Sequence, residues 1–428
     1  MKLEILTIFV KILIICSLCV KCDEYNCPEE SQKKIFCYYK TTNHELLNEV
    51  THQSPSSIFH HNKPPCSHII YAFAGLDMNG EIVLPHKKVN QDFHDLMKLK
   101  EKDPCLKILI SVGGWDEGSE KFSSLVETED SVENFAEKTL RFLIFYGFDG
   151  IDIHWMYPTM RGGIKDDRQN FVKLIKALKS KLSRRNKLVV AAIGTKISHI
   201  IEAYSPMKEL CDSLDYAILM TYDYFDRSKT SIGAPLVNDD HHIYKETLAE
   251  NVQRILSENC RPEKLIFGIS TYGKVFKLKR STRTGIGADL SDEDVDVNEQ
   301  FVEYNKICTA LKKNLSISSS HNDKTVKWTT KLLPRSHSKY AYHDRTWVSY
   351  DDHEAIEIKT FYALKKNLGG VMFYTLNGDS FNEDCKVYFP LIARAKKLIE
   401  EFTTQCKNSH AEACLKKIEQ EHNLHLNI

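Results

Sequence analysis

The 428-residue chain carries 58 Lys and Arg against 58 Asp and Glu, so it lacks the basic excess that displaces counterions from a nucleic acid. Its 42% hydrophobic and 27% charged residues, with 18 Gly and 12 Pro, exclude a disordered or collagen-like chain. The length admits one large domain with an insertion, or two to three ordinary ones, and 13 Cys are many for a cytosolic enzyme.

Residues 5–20 are almost entirely apolar, broken by Lys11 and followed at once by Cys22-Asp23-Glu24. The run falls short of the ~20 residues a membrane helix needs. It reads as a secretory signal peptide over residues 1–22, with an uncleaved anchor as the alternative. After removal no further stretch could span a membrane, and the chain becomes slightly acidic. Cleavage takes away Cys16, Cys19 and Cys22 and leaves an even set: Cys27, Cys37, Cys66, Cys105, Cys211, Cys260, Cys308, Cys385, Cys406 and Cys414. An even set in a secreted chain points to bridges. No Cys-x-x-Cys pair survives, which argues against zinc. Cys406 and Cys414 are spaced to close a small tail loop.

After a short N-terminal extension (23–34), apolar, β-branched runs alternate with helix-like segments. The runs are Lys34–Tyr39, Ser67–Phe73, Lys107–Val112, Phe148–Trp155, Leu188–Ile193, Tyr216–Thr221, Leu265–Thr271 and Val371–Leu376. Helical periodicity marks Val132–Tyr146, Arg168–Leu182 and Lys245–Ser257. Near-continuous apolar strands separated by helices are parallel strands buried on both faces. Eight such units fit a closed α/β barrel of the (β/α)8 TIM type. An open doubly wound sheet is the alternative from pattern alone.

The gap between the seventh and eighth strands is far longer than one crossover needs. It predicts an inserted α+β subdomain over 275–345, with a helix-like stretch at Glu299–Lys312. The barrel then covers 35–274 and 346–402. A hydrophilic tail, 403–428, carries a helical pattern at Ala411–Glu421. Asn314-Leu315-Ser316 is the one N-glycosylation sequon. Gly285-Ile286-Gly287 is not continued at Leu290, and there is no P-loop, so no nucleotide cofactor is expected. The pairs His60-His61 and His241-His242 read as solvated loops, and no metal site is expected.

In a barrel the working residues sit at the C-terminal ends of the strands. Alternation along the fourth strand points Asp152, His154 and Met156 to one side, stacked toward the barrel mouth. Buried polar groups are costly unless partnered. The line is therefore either a satisfied structural network or a ligand site. Asp152 is within reach of a hydrogen bond to His154.

The strand Asp149-Gly150-Ile151-Asp152-Ile153-His154-Trp155-Met156-Tyr157-Pro158 resembles the signature of glycoside hydrolase family 18, the chitinases and chitinase-like lectins. Cys37-Tyr38-Tyr39, Tyr71-Ala72-Phe73, Ser111-Val112-Gly113-Gly114-Trp115, Met220-Thr221-Tyr222-Asp223, Thr271-Tyr272-Gly273 and Gly369-Gly370-Val371-Met372 resemble that family's other strands, from about Lys34 to Leu398. The chain is also similar to arthropod members, mite chitinase-like allergens among them.

The resemblance implies substrate-assisted hydrolysis in active members, an exception to the two-carboxylate scheme. The substrate's own acetamide attacks, a Glu protonates the leaving oxygen, and an Asp two residues earlier orients the acetamide. Here Met156 stands at the acid position and His154 at the orienting one. A thioether has no proton to give. The motif Asp149, Asp152, His154 and Met156 is thus degenerate, and no catalytic residue is assigned. Tyr374 replaces the family's floor Trp, Asn377 an Asp and Lys274 an Arg. The implied sugar-binding residues are Tyr38, Phe73, Trp115, Asp152, Met220, Tyr222, Asp223, Tyr272 and Tyr374; Trp347 is a further candidate for the groove. The resemblance also places the inserted α+β subdomain between strand 7 and helix 7 of the TIM barrel, and implies bridges Cys37–Cys66 and Cys308–Cys385. The expectation is a secreted, extracellular, monomeric protein that binds chitin or N-acetylglucosamine oligomers without cutting them. A weak or altered hydrolase, and a protein-binding growth or immune-modulating scaffold with a vestigial groove, are the alternatives.

Overall fold

The computed structural model describes Cys27 and residues 32–41, 54–59, 63–226, 228–238, 244–292, 300–317, 325–381, 385, 387–406, 411–424 and 426. The signal segment, most of the 23–34 extension and the two His pairs lie outside these residues.

In chain order the strands are β1 (Lys34–Lys40), β2 (His68–Leu76), β3 (Ile82–Val83), β4 (Lys107–Gly113), β5 (Gly150–His154), β6 (Leu188–Gly194), β7 (Tyr216–Met220), β8 (Leu265–Ser270), β9 (Tyr272–Lys277), β10 (Phe301–Glu303), β11 (Thr329–Leu333), β12 (Ser338–His343), β13 (Thr346–Tyr350) and β14 (Gly370–Tyr374). Parallel pairing runs β1-β14-β8-β7-β6-β5-β4-β2, and β1 pairs with β2 to close the ring. This is a (β/α)8 barrel, and the open-sheet alternative falls. The barrel strands are buried along nearly their whole length, as both-face burial requires. β3 adds a short antiparallel hairpin to β2.

The helices begin where caps allow. Thr128 and Ser131 form a reciprocal capping box, so the helix expected at Val132–Tyr146 starts at Glu129 and ends at Gly147, in the left-handed region. Thr247 and Glu250 form another, so the helix expected from Lys245 starts at Leu248.

The inserted sheet is antiparallel, in the order β10-β9-β13-β12-β11. Its outer bounds, Tyr272 and Tyr350, lie beyond 275–345. Thr271 ends barrel pairing: its N–H donates to Tyr374 O and its hydroxyl to Thr375 O, and the next residue already belongs to the second sheet. Phe301–Glu303 pairs with β9, so the helix read at Glu299–Lys312 starts at Tyr304. Trp347 does not reach the groove. It is fully buried in the insertion's own core with Ile232, Phe276, Leu278 and Tyr340, and its indole N–H donates to Thr284 O. A buried Lys359–Asp351 ion pair, extended by Ser338, ties the insertion to the helix His353–Lys365.

Among the described residues five disulfides are formed: Cys27–Cys105, Cys37–Cys66, Cys211–Cys260, Cys308–Cys385 and Cys406–Cys414. The Cys308–Cys385 link closes a 77-residue separation between insertion and barrel; loops of this length are worth roughly 3–5 kcal/mol in the entropy model. The hydrophilic tail is not a solvated appendage. Cys414, Ile418, Leu424 and Leu426 are buried, and the His422 ring lies between Glu357 and Glu401 at 2.5 and 2.7 Å.

At the N-terminal end of the barrel, His68 stacks on Phe36 (4.1 Å) and its Nδ1 meets Ser67 Oγ at 2.9 Å. Burial pushes its pKa down from 6.5 to about 3. The folded state therefore holds His68 neutral while the unfolded chain takes up a proton. Its contribution is complete above pH 6.5 and is lost as pH falls toward about 3, by up to about 1.4 kcal/mol per pH unit. Urea unfolding is expected to show a shallower acid limb in His68→Phe than in wild type; identical slopes between pH 6.5 and 4 would contradict this.

Candidate functional site

The site is built on β5. Gly150, Asp152 and His154 alternate with Ile151 and Ile153, so the polar side chains enter the barrel while the isoleucines meet the helices. Asp149 lies just before the strand, at its N-terminal end. Its carboxylate accepts Ile108 N–H (2.8 Å) and the Lys100 ammonium (2.7 Å). It is an anchor for the strand and takes no part in the mouth of the barrel.

Asp152 is fully buried, and its Oδ2 accepts the Tyr38 hydroxyl at 2.7 Å and the Ser111 hydroxyl at 2.6 Å. Burial and then the neighbouring Asp152 push the Tyr38 pKa well up, so its hydroxyl remains a donor. The expected Asp152–His154 hydrogen bond is not made. His154 Nδ1 stands 3.6 Å from Oδ2, whose acceptor capacity Tyr38 and Ser111 already use. Asp152 Oδ1, His154 Nδ1 and Tyr222 Oη are all buried without a hydrogen-bond partner. Buried polar atoms left unpaired in this way call for a ligand or a water.

Backbone irregularity places the neighbouring rings. Ala72 and Phe73 together oppose Ser111, a bulge in the β2–β4 ladder. Phe73 then meets the His154 ring edge-on at 4.9 Å, and Tyr38 does the same at 5.5 Å. Gly113 and Gly114 follow with φ of 113° and 94°. A Cβ on Gly113 would stand 2.6 Å from His154 O, and one on Gly114 would stand 2.9 Å from Phe73. Only glycine permits this approach.

Tyr374 is the hub of the aromatic wall. Its ring centroid lies 5.4 Å from Tyr38, 6.5 Å from Phe73, 6.0 Å from Tyr222 and 6.3 Å from Tyr272. Asp223, in the left-handed region (φ 65°), accepts the Tyr272 hydroxyl at 2.7 Å. Burial raises the Asp223 pKa, against the pull of that hydrogen bond and of Lys196 and Lys274. Met220 ends β7 and is buried, its carbonyl accepting the Thr195 hydroxyl. Thus Tyr38, Phe73, Asp152, Tyr222, Asp223, Tyr272 and Tyr374 come together as one aromatic and acidic cluster at the C-terminal ends of the barrel strands.

Met156 lies just past β5 and packs against the barrel core. Trp155 turns away from the groove, stacked on Phe122 at 4.9 Å, with its N–H on Ser119. Trp115 is 55% exposed and carries the Arg161 guanidinium over its ring at 3.8 Å. Asn377 does not face the groove, because its amide bridges the N–H and the carbonyl of Lys40. Lys274 lies among the Phe225, Phe276 and Phe301 rings. Sequence reasoning missed Ser111 as a partner of Asp152, Arg161 as the cation over Trp115, and Phe225 and Phe301 as the rings beside Lys274. Ser111 alone had a signal, in the Ser-Val-Gly-Gly block. Among the described residues no group of three or more His, Cys, Asp or Glu is arranged to hold a metal ion.

Residues 34–379 match the family model described as glycosyl hydrolases family 18. The chain belongs to glycosyl hydrolase family 18. It is 32% identical over 342 residues to probable chitinase 2 of Drosophila melanogaster, covering 75% of this chain and 68% of that one. It spans only 50% and 64% of two mammalian oviduct-specific glycoproteins it also matches. A group IV chitinase of Ostrinia furnacalis, solved with allosamidin, superposes with a TM-score of 0.76 at 28% identity, over 86% of this chain and 99% of that one. Human YKL-39, described as a pseudo-chitinase with retained chitooligosaccharide binding properties, superposes with a TM-score of 0.74 at 25% identity, over 85% and 99%. The family 18 fold therefore carries both chitinases and a protein that has lost hydrolysis.

Proposed function

We propose that this protein is a secreted family 18 lectin that binds chitin or N-acetylglucosamine oligomers in the barrel-mouth groove and does not hydrolyse them. Met156 carries the reading. It stands where a proton donor to the leaving glycosidic oxygen is needed, and general acid catalysis contributes ~10²–10⁴-fold. The groove around it is otherwise furnished for a sugar. Tyr374, Tyr222, Tyr272 and Phe73 offer apolar faces, while Asp152 Oδ1, His154 Nδ1 and Tyr222 Oη offer buried, unpartnered polar atoms. Carbohydrate binding by a pseudo-chitinase of the same fold supports this reading.

The five disulfides support an oxidising, extracellular setting, and no described helix is long and apolar enough to cross a membrane. Asn314, exposed at the end of the helix Tyr304–Lys313, is the proposed glycan site. The protein acts as a monomer.

Calorimetric titration with chitotriose tests the groove. Tyr374→Ala is expected to weaken binding about tenfold, the loss of one stacked ring or ~1.4 kcal/mol. Unchanged affinity would remove Tyr374 from the site.

A further inference from the structure

The aromatic series at the barrel mouth carries a stacked cation at each end. At one end Trp115 follows Gly114, whose backbone lies against Phe73. The Arg161 guanidinium sits 3.8 Å from the Trp115 ring centroid. The same Arg donates from Nη1 to Trp115 O at 2.5 Å and to Met156 O at 3.0 Å. It is thus anchored between the tryptophan and the end of β5. The guanidinium thus lies over the Trp115 ring while one of its nitrogens holds the Met156 carbonyl. At the other end Tyr272 meets Phe301 at 5.4 Å. There the Lys274 ammonium lies 5.0, 5.2 and 5.5 Å from Phe225, Phe276 and Phe301. Between the two cations the series Phe73, Tyr374, Tyr222 and Tyr272 carries none.

We infer that Arg161 limits the length of ligand the site reads: stacked on Trp115, it holds a ring face that a sugar at that end of the groove would otherwise occupy, so units of an N-acetylglucosamine oligomer that extend past Phe73 add no affinity. The inference rests on the sugar-binding reading above. A guanidinium over an indole face and a sugar on the same face exclude each other, since both need ring contact. The two carbonyl anchors make displacement of Arg161 costlier than the ring contact alone. A long oligomer therefore gains nothing from its units beyond Phe73, and a short one does not reach Arg161.

The test is calorimetry with chitotriose and chitohexaose on wild type, Arg161→Ala, Arg161→Gln and the double variant Arg161→Ala/Trp115→Ala. Arg161→Gln keeps a donor for the Trp115 carbonyl while removing the planar cation. Both single variants are expected to bind chitohexaose about tenfold more tightly than wild type, which is ~1.4 kcal/mol, with chitotriose unchanged. Adding Trp115→Ala is expected to abolish the gain. Chitohexaose affinity unchanged or weakened in both single variants, with chitotriose still bound, would overturn the inference and leave the sugar-binding reading standing. No heat with either sugar on any of the four proteins would overturn both.

Discussion

Met156→Glu alone is expected to leave chitin-oligomer hydrolysis at background, whereas Met156→Glu with His154→Asp raises it at least ~10²-fold above the single variant. On the proposed reading, Glu at 156 restores a proton donor beside the leaving oxygen. It does not restore the group that orients the acetamide, because His154 stands there, flanked by the edges of Tyr38 and Phe73. Nor is His154 hydrogen-bonded to Asp152, from which its Nδ1 is 3.6 Å away. The carboxyl pair that shares a proton in active members exists only when both positions are acidic. Release of a chromophore from a chitobioside checks this at fixed protein concentration. Equal rates for the single and double variants would show that His154 is not the limiting departure.

Asp152→Ala is expected to lower the unfolding free energy by about 2–6 kcal/mol, at ~1–3 kcal/mol for each of the two buried hydroxyls left unpaired. The carboxylate is the shared acceptor of Tyr38 and Ser111, and all three residues are fully buried. Truncation strands both hydroxyls and leaves a cavity beside Tyr38 and Ser111; on the proposed reading, sugar binding is lost as well. Asp152→Asn keeps an acceptor in place and is expected to cost about 1 kcal/mol. Urea denaturation distinguishes the two. An Asp152→Ala variant within about 1 kcal/mol of wild type would mean that Tyr38 and Ser111 are not held by this carboxylate.

The barrel was legible because its strands are short apolar runs buried on both faces, and the family motifs fall at their C-terminal ends. The edges of the insertion were not. Thr271-Tyr272-Gly273 reads as the end of the seventh barrel strand, yet from Tyr272 the chain pairs as β9 with β10 and β13. Trp347 could be counted but not placed, since burial in a separate core depends on partners as distant as Ile232. The tail's charged residues hid an apolar face: Cys414 and Ile418, one helical turn apart, are both buried. Asn377 reads as a weakened groove residue, but its amide has the two-sided geometry to clamp the Lys40 backbone. Nothing in the sequence joins Arg161 to Trp115, which are 46 residues apart and meet only because the loops after β4 and β5 are neighbours at the barrel mouth.

Binding without hydrolysis is tested most directly by capture on chitin beads, assayed beside release of soluble oligosaccharide from the same beads. The expected result for the wild-type protein is retention on the beads, elution by free chitohexaose, and no oligosaccharide release above a buffer control. Release at a rate comparable to an active family 18 chitinase, or passage through the beads without retention, would contradict it.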